Sequence, residues 1–232
     1  MDAIRRQRRI QSLRSRIAGP QDAYERCRAY PCPNRTTADK GEGLNGLYCR
    51  QHIEFYRRHG SYLKQSYAAA ELRPFRLQAL QWLEGNQNDP AVRQAATAVD
   101  RLYRSSGAPV EAFRLAGKKP KERARAVWAR LRHKGIAPTT VLATWLAVDL
   151  CIRNDLQPDR HDEYRLVQAG KLIHRLAGGS HRRWELERAD GSTEVRELHK
   201  HPVSRGRVLR LLGEDLAQCC VDVRIPEPGQ TA

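Results

Sequence analysis

Three of the six cysteines in this 232-residue chain fall within 23 residues, and a histidine follows the third at ligand spacing. Cys27, Cys32, Cys49 and His52 form the pattern C-x4-C-x16-C-x2-H. Two thiolates joined by a short turn, followed by a Cys-x2-His pair, supply four donors of the kind that encloses a tetrahedral zinc ion. A disulfide would leave one of the three cysteines unpaired and does not suit a cytosolic setting. The spacing therefore predicts one structural zinc ion bound by these four residues.

The residues around the ligands fit that reading. Pro31-Cys32-Pro33-Asn34 is a rigid turn that lets the first pair converge. The loop DKGEGLNG, rich in Gly and Asn, suits a hairpin or knuckle rather than a helix. RQHIEFYRRHG then reads as a helix with the last two ligands in its first turn, where the helix dipole favours a thiolate. His59, two turns beyond His52, is placed at the helix end before Gly60.

Residues 25–64 resemble the short treble-clef-like zinc modules of phage and mobile-element nucleic-acid-binding proteins, a group related to HNH nucleases. The matching residues are Cys27, Cys32, Gly46, Leu47, Cys49, His52, Tyr56, Arg57, Arg58, His59 and Gly60. The resemblance implies a metal-stabilised nucleic-acid-binding module, found in both nucleases and non-catalytic proteins. An HNH nuclease needs a general-base histidine on a hairpin beside a catalytic divalent ion. No Asp-His or His-His pair near residues 27–52 fills that role.

Charge points to the same class of partner. The chain carries 42 Lys and Arg against 26 Asp and Glu, a net charge of +16. Such an excess predicts an acidic partner, most simply nucleic acid. Residues 1–64 hold 14 basic and 6 acidic side chains, a difference of +8, which is half the total on little more than a quarter of the length. Arg5, Arg6, Arg8, Arg9, Arg14 and Arg16 give a leading helix a phosphate-facing surface, and Arg50, Arg57 and Arg58 do the same on the helix after Cys49. DNA is preferred as the partner, with RNA as the alternative.

The remainder predicts a mainly α chain: an N-terminal basic helix and zinc module over 1–64, a helical domain over 65–179, and a hairpin with a C-terminal helix over 180–223. A helix from Ser61 to about Leu83 is interrupted or kinked at Pro74. Pro90 to Gly107 is a helix capped by Asp89, with Val92, Ala95, Val99 and Leu102 as its apolar stripe. KPKERARAVWARLRHKG turns Val127, Trp128 and Leu131 inward and its arginines outward; a turn with a Thr139 cap leads to TTVLATWLAVDLCIRNDL, the most apolar helix. The connection resembles a helix-turn-helix, but the second helix is too apolar around Leu142, Trp145, Leu146 and Val148 for a recognition helix. Cys151 there reads as a buried small side chain, and His174 in the next helix as a partly buried or basic-surface residue.

After Gly178-Gly179 the pattern alternates, with Trp184, Leu186, Val195 and Leu198 around an Asp190-Gly191 turn, and predicts a hairpin that could act as a wing. Val208, Leu211, Leu212 and Leu216 pack the final helix. His199, His201, Cys219 and Cys220 form a weak second set of metal donors, weak because adjacent cysteines chelate one tetrahedral ion poorly.

No Gly-rich phosphate loop, nucleophile elbow or H-E-x-x-H motif is present, and no catalytic residue is assigned. Asp149, Asp155, Asp159, Asp162 and Glu163 are read as caps and surface charges near helix ends. No run of about 18 apolar residues suggests a membrane span, and the expected location is the cytoplasm. The sequence is read as a non-catalytic zinc-stabilised nucleic-acid-binding protein. Alternatives are a small zinc-bearing subunit of a larger nucleoprotein complex with protein partners, such as an RNA-guided effector, and an HNH-like nuclease.

Overall fold

Helical spacing of the apolar residues is realised almost throughout in the computed structural model, which describes residues 7, 10, 11, 14, 26–36, 44–204 and 206–226. The order is α1 (Leu44–Leu47), α2 (Arg50–His59), α3 (Ala69–Gly85), α4 (Pro90–Ser105), a 3-10 turn (Ala112–Leu115), α5 (Pro120–His133), α6 (Pro138–Asn154), α7 (Asp162–Ala177), β1 (Ser180–Glu187), β2 (Thr193–Lys200) and α8 (Arg207–Cys219). The fold is mainly α with a two-stranded antiparallel hairpin near the C-terminus. The chain divides into two compact units, Met1–Gln65 and Ser66–Ala232. Among the described residues no helix is long and apolar enough to cross a membrane.

In the first unit, α2 forms as its sequence suggests and closes at Gly60. That residue takes φ 75°, and its N–H reaches the carbonyl of Tyr56 at 2.8 Å. Only glycine holds that left-handed backbone at low cost, so the helix stops there. The stretch expected to be a hairpin or knuckle instead ends in one helical turn, α1; residues 39–43 lie outside the described residues. The turn is held because the Leu47 carbonyl accepts the N–H of Arg28 at 3.0 Å, which fixes it against the first ligand loop.

The helix expected from Ser61 begins only at Ala69. Ser61 Oγ accepts the N–H groups of Leu63 (3.2 Å) and Lys64 (2.9 Å), a local turn that competes with helix formation. Glu71 then accepts the Ala68 N–H, and α3 runs uninterrupted through Pro74.

The second unit is built around α6. Every residue of α6 from Val141 to Ile152 is buried, so this helix has no face free for recognition. Asp89 caps α4 by accepting the N–H groups of Ala91 (2.7 Å) and Val92 (3.4 Å), and Val92, Ala95 and Val99 are buried as expected. The cap of α6 is not Thr139: Ala137 is the N-cap and Pro138 the first helical residue, where its missing N–H costs nothing. Tyr67 Oη donates to Asp155 at 2.6 Å, and Trp128 Nε1 donates to Asp215 at 2.7 Å.

α7 and α8 approach through glycines. A Cβ on Gly170 would collide with the Leu209 carbonyl, and one on Gly213 with the Leu166 carbonyl. Leu209, Leu212 and Leu216 are fully buried at this crossing.

Two charged residues depart from expectation. Asp149 lies in mid-helix and is buried, held by Arg153 (3.0 Å) and Arg165 (3.1 Å) rather than facing solvent. Such burial is tolerable because the two guanidinium groups neutralise it. Arg130, expected outward on α5, is only 5% exposed because Ala126, Val127, Ala129 and Leu131 around it are buried as well. Its Nη1 reaches the Val110 carbonyl at 3.4 Å, while Nε and Nη2 are buried with no partner among the described residues. His174 is also buried, at 6% exposure.

Candidate metal centre

The first two cysteines come together through a tight reversal of the chain. Arg26 and Arg35 form an isolated antiparallel bridge, Cys27 N–H bonds the Asn34 carbonyl (2.9 Å), and Cys32 N–H bonds the Ala29 carbonyl (2.8 Å). The predicted proline turn thus bends the backbone back within eight residues. Cys49 is the N-cap of α2, and His52 lies in the helix's first turn.

The four donor atoms lie within 4.8 Å of one another. His52 Nδ1 stands 3.4 Å from Cys27 Sγ and 3.2 Å from Cys49 Sγ, and Cys32 Sγ is 3.9 Å from Cys49 Sγ. A tetrahedral ion with bonds of about 2.3 Å to sulfur and 2.0 Å to nitrogen sets donor separations of roughly 3.5–3.8 Å. The observed edges fall close to that frame, so Cys27, Cys32, Cys49 and His52 could hold a metal ion.

The surroundings favour a thiolate at Cys49, whereas at Cys32 the Asn34 backbone lowers the thiol but burial and the Cys49 and Cys27 sulfurs outweigh it and raise it. Cys27 and Cys49 are buried, and the Cys49 N–H points at Cys27 Sγ (3.3 Å). Burial by itself pushes the Cys49 thiol up. The His52 backbone N–H, the His52 ring and the Cys27 and Cys32 sulfurs outweigh it and bring the thiol down to about 6. Asn34 Nδ2 lies 3.9 Å from Cys49 Sγ and donates to Gln51 Oε1 at 3.1 Å, which links the first ligand loop to α2. Tyr62 stacks between Tyr48 (3.6 Å) and Tyr56 (4.5 Å), fixing α2 at its far end. His59 packs its ring on Phe55 at 4.3 Å, as a residue of the last turn.

Sequence reading did not single out Asn34, Gln51 or the Tyr48–Tyr62–Tyr56 stack. Asn34, directly after Cys32-Pro33, was legible only as a turn residue.

The basic residues divide. Arg50, Arg57 and Arg58 are exposed on α2, and helical spacing places them within about 100° of one another on the side away from His52. Glu54 sits among them and pairs with Arg57 at 2.7 Å. Arg14 is helical and exposed, whereas Arg5, Arg6, Arg8, Arg9 and Arg16 lie outside the described residues. The second proposed donor set is not assembled: among the described residues, His199, His201, Cys219 and Cys220 do not converge, and Cys220 is buried at the end of α8. The hairpin carries five basic and five acidic side chains between Ser180 and Lys200, not the basic excess that a phosphate-contacting wing requires.

No protein-family model, curated protein or solved structure matches this chain.

Proposed function

We propose that this chain is a non-catalytic, zinc-stabilised nucleic-acid-binding protein with DNA as its partner. The observation that carries the proposal is the four-donor cluster at the start of a helix whose opposite side exposes Arg50, Arg57 and Arg58. Three thiolates and an imidazole favour zinc over the oxygen-seeking ions, and four protein donors leave no open position for a reacting water. The ion in this reading is structural. Among the described residues, the apolar cluster around the donors consists of Cys27, Ala29 and Cys49, with Cys32 and Tyr48 packed against it, and the ion would tie these segments together. The arginine face then meets phosphates in a fixed orientation. The phage or mobile-element origin rests on the resemblance of residues 25–64 alone.

The test uses the full chain loaded with zinc and, in parallel, with cobalt. Binding to duplex DNA should weaken steeply with salt, because each phosphate contact releases counterions. Replacing Arg50, Arg57 and Arg58 together with Ala should leave the metal in place and flatten the slope of log K against log salt by about 2–3. Cys49→Ser should weaken the thiolate-to-cobalt absorption, with Cys27 and Cys32 left as sulfur donors, and reduce DNA affinity. Salt-independent binding, or a triple variant that binds as the wild type does, would overturn the proposal. Recovery with a defined RNA and stable protein partners would reassign the chain to a larger nucleoprotein complex.

A further inference from the structure

His199 does not join the C-terminal cysteines because the hairpin turn commits it elsewhere. The Asp190-Gly191 turn sets a register in which His181 lies directly opposite His199. Their rings stack with centroids 3.9 Å apart and planes 6° from parallel. Side chains alternate along a strand, so Glu197, two residues before His199, shares their face. One of its oxygens, Oε2, stands 3.5 Å from His181 Nε2 and 3.6 Å from His199 Nε2.

These separations are longer than a charge-assisted hydrogen bond, about 2.7–2.9 Å. They lie near the roughly 3.3 Å edge expected between donors held about 2.0–2.1 Å from one tetrahedral ion. All three donor atoms lie within 4.8 Å of one another, and the two imidazoles have to turn out of their parallel stack for both Nε2 lone pairs to meet one ion. The other oxygen of Glu197 faces Arg183 Nε at 3.7 Å, a contact that orients the carboxylate from behind.

We propose that His181, His199 and Glu197 form a second metal site, which takes a divalent first-row transition ion such as Zn2+. Two imidazoles and one carboxylate suit such an ion and do not suit Mg2+ or Ca2+, which seek oxygen donors. The three side chains are 47%, 60% and 45% exposed, so the ion is exchangeable and keeps at least one position open to solvent. That distinguishes it from the closed cluster at Cys27.

The ion also has a structural task. Two-stranded hairpins are marginal on their own, and here every residue of both strands is exposed except Ser180 and Glu194. The hairpin is anchored at its base, where Ser180 Oγ accepts the Ala112 N–H at 2.7 Å. The His181–His199 pair is the next pair along the ladder, so a metal there clips the strands together just beyond the anchor. The site does not depend on the DNA-binding proposal, and its test does not involve nucleic acid.

The experiment titrates Zn2+ into the full chain at pH 7.5 with the thiolate cluster already loaded, read by competition with a chromogenic chelator. Backbone hydrogen exchange of β1 and β2 is followed in parallel. One further equivalent should bind with a Kd on the order of micromolar and slow exchange in both strands. His181→Gln and His199→Gln should each weaken that equivalent at least 10-fold and remove the effect on exchange. Glu197→Gln should weaken it to a lesser degree, and Mg2+ should produce neither response. The side chains are exposed, so the variants keep their fold. Absence of the further equivalent in the wild type, or its persistence unchanged in both histidine variants, would overturn the proposal.

Discussion

Arg130 shows how a single side chain can run against its own helix. Its neighbours Ala126, Val127, Ala129 and Leu131 are buried, and the guanidinium goes inward with them. Burial pulls its pKa down from the usual arginine value, because the charged form loses water and gains only the Val110 carbonyl at 3.4 Å. An apolar side chain of similar length removes that desolvation penalty while filling the space. Arg130→Met is therefore expected to raise unfolding free energy by about 1–3 kcal/mol, seen as a higher urea midpoint with unchanged slope. A lower midpoint would mean that the charge is compensated in solution. Asp149 is the contrasting case: equally buried, but with Arg153 and Arg165 at 3.0 and 3.1 Å.

Between elements, the sharpest constraint is the crossing of α7 and α8. Gly170 faces the backbone of α8 at Leu209, and Gly213 faces that of α7 at Leu166. Each glycine is thus a hole for the other helix's main chain, and backbone cannot move aside as a flexible side chain can. Gly170→Ala should force the helices apart and cost at least about 2 kcal/mol, measured as a lower thermal midpoint in the full chain. At Gly85, by contrast, a Cβ meets nothing within 4 Å, so Gly85→Ala should be tolerated and serves as the control. Nothing in the sequence around Gly170 or Gly213 marks either as a contact point. Their role could not be read there, because close approach is a property of two segments about 40 residues apart.

For the molecule as a whole, stability should respond to acid through His174. Burial lowers its pKa to about 4, and the charges of Arg130, Arg123 and His201 act in the same direction. The unfolded chain takes up this proton near pH 6.5, whereas the folded chain resists it until about pH 4. The contribution of neutral His174 is therefore complete above pH 6.5 and is lost as pH falls toward 4, by up to about 3 kcal/mol. Asp215 works in the opposite sense, since burial raises its pKa and acid relieves a buried charge. The difference between wild type and His174→Gln, measured by denaturant unfolding from pH 7.5 to 4.5, isolates the histidine. That difference should shrink as pH falls; parallel curves would remove His174 from the account.

The four donors, the α2 helix, the Asp89 cap, the hairpin and the burial of α6 were all legible in the chain, because each depends on residues close in sequence. Metal-donor spacing, a cap and a period of 3.6 or 2 are local properties that a few adjacent side chains determine. The pairing of His181 with His199 was legible in principle, since a two-strand register follows from its turn. What only the tertiary structure decided was the environment of polar groups distant from their own periodic face. Arg130 and His174 are buried, Asp149 is neutralised in mid-helix, and Gly170 and Gly213 admit another backbone. Those outcomes depend on which segment closes over a residue, and a pattern within one helix carries no record of its neighbour.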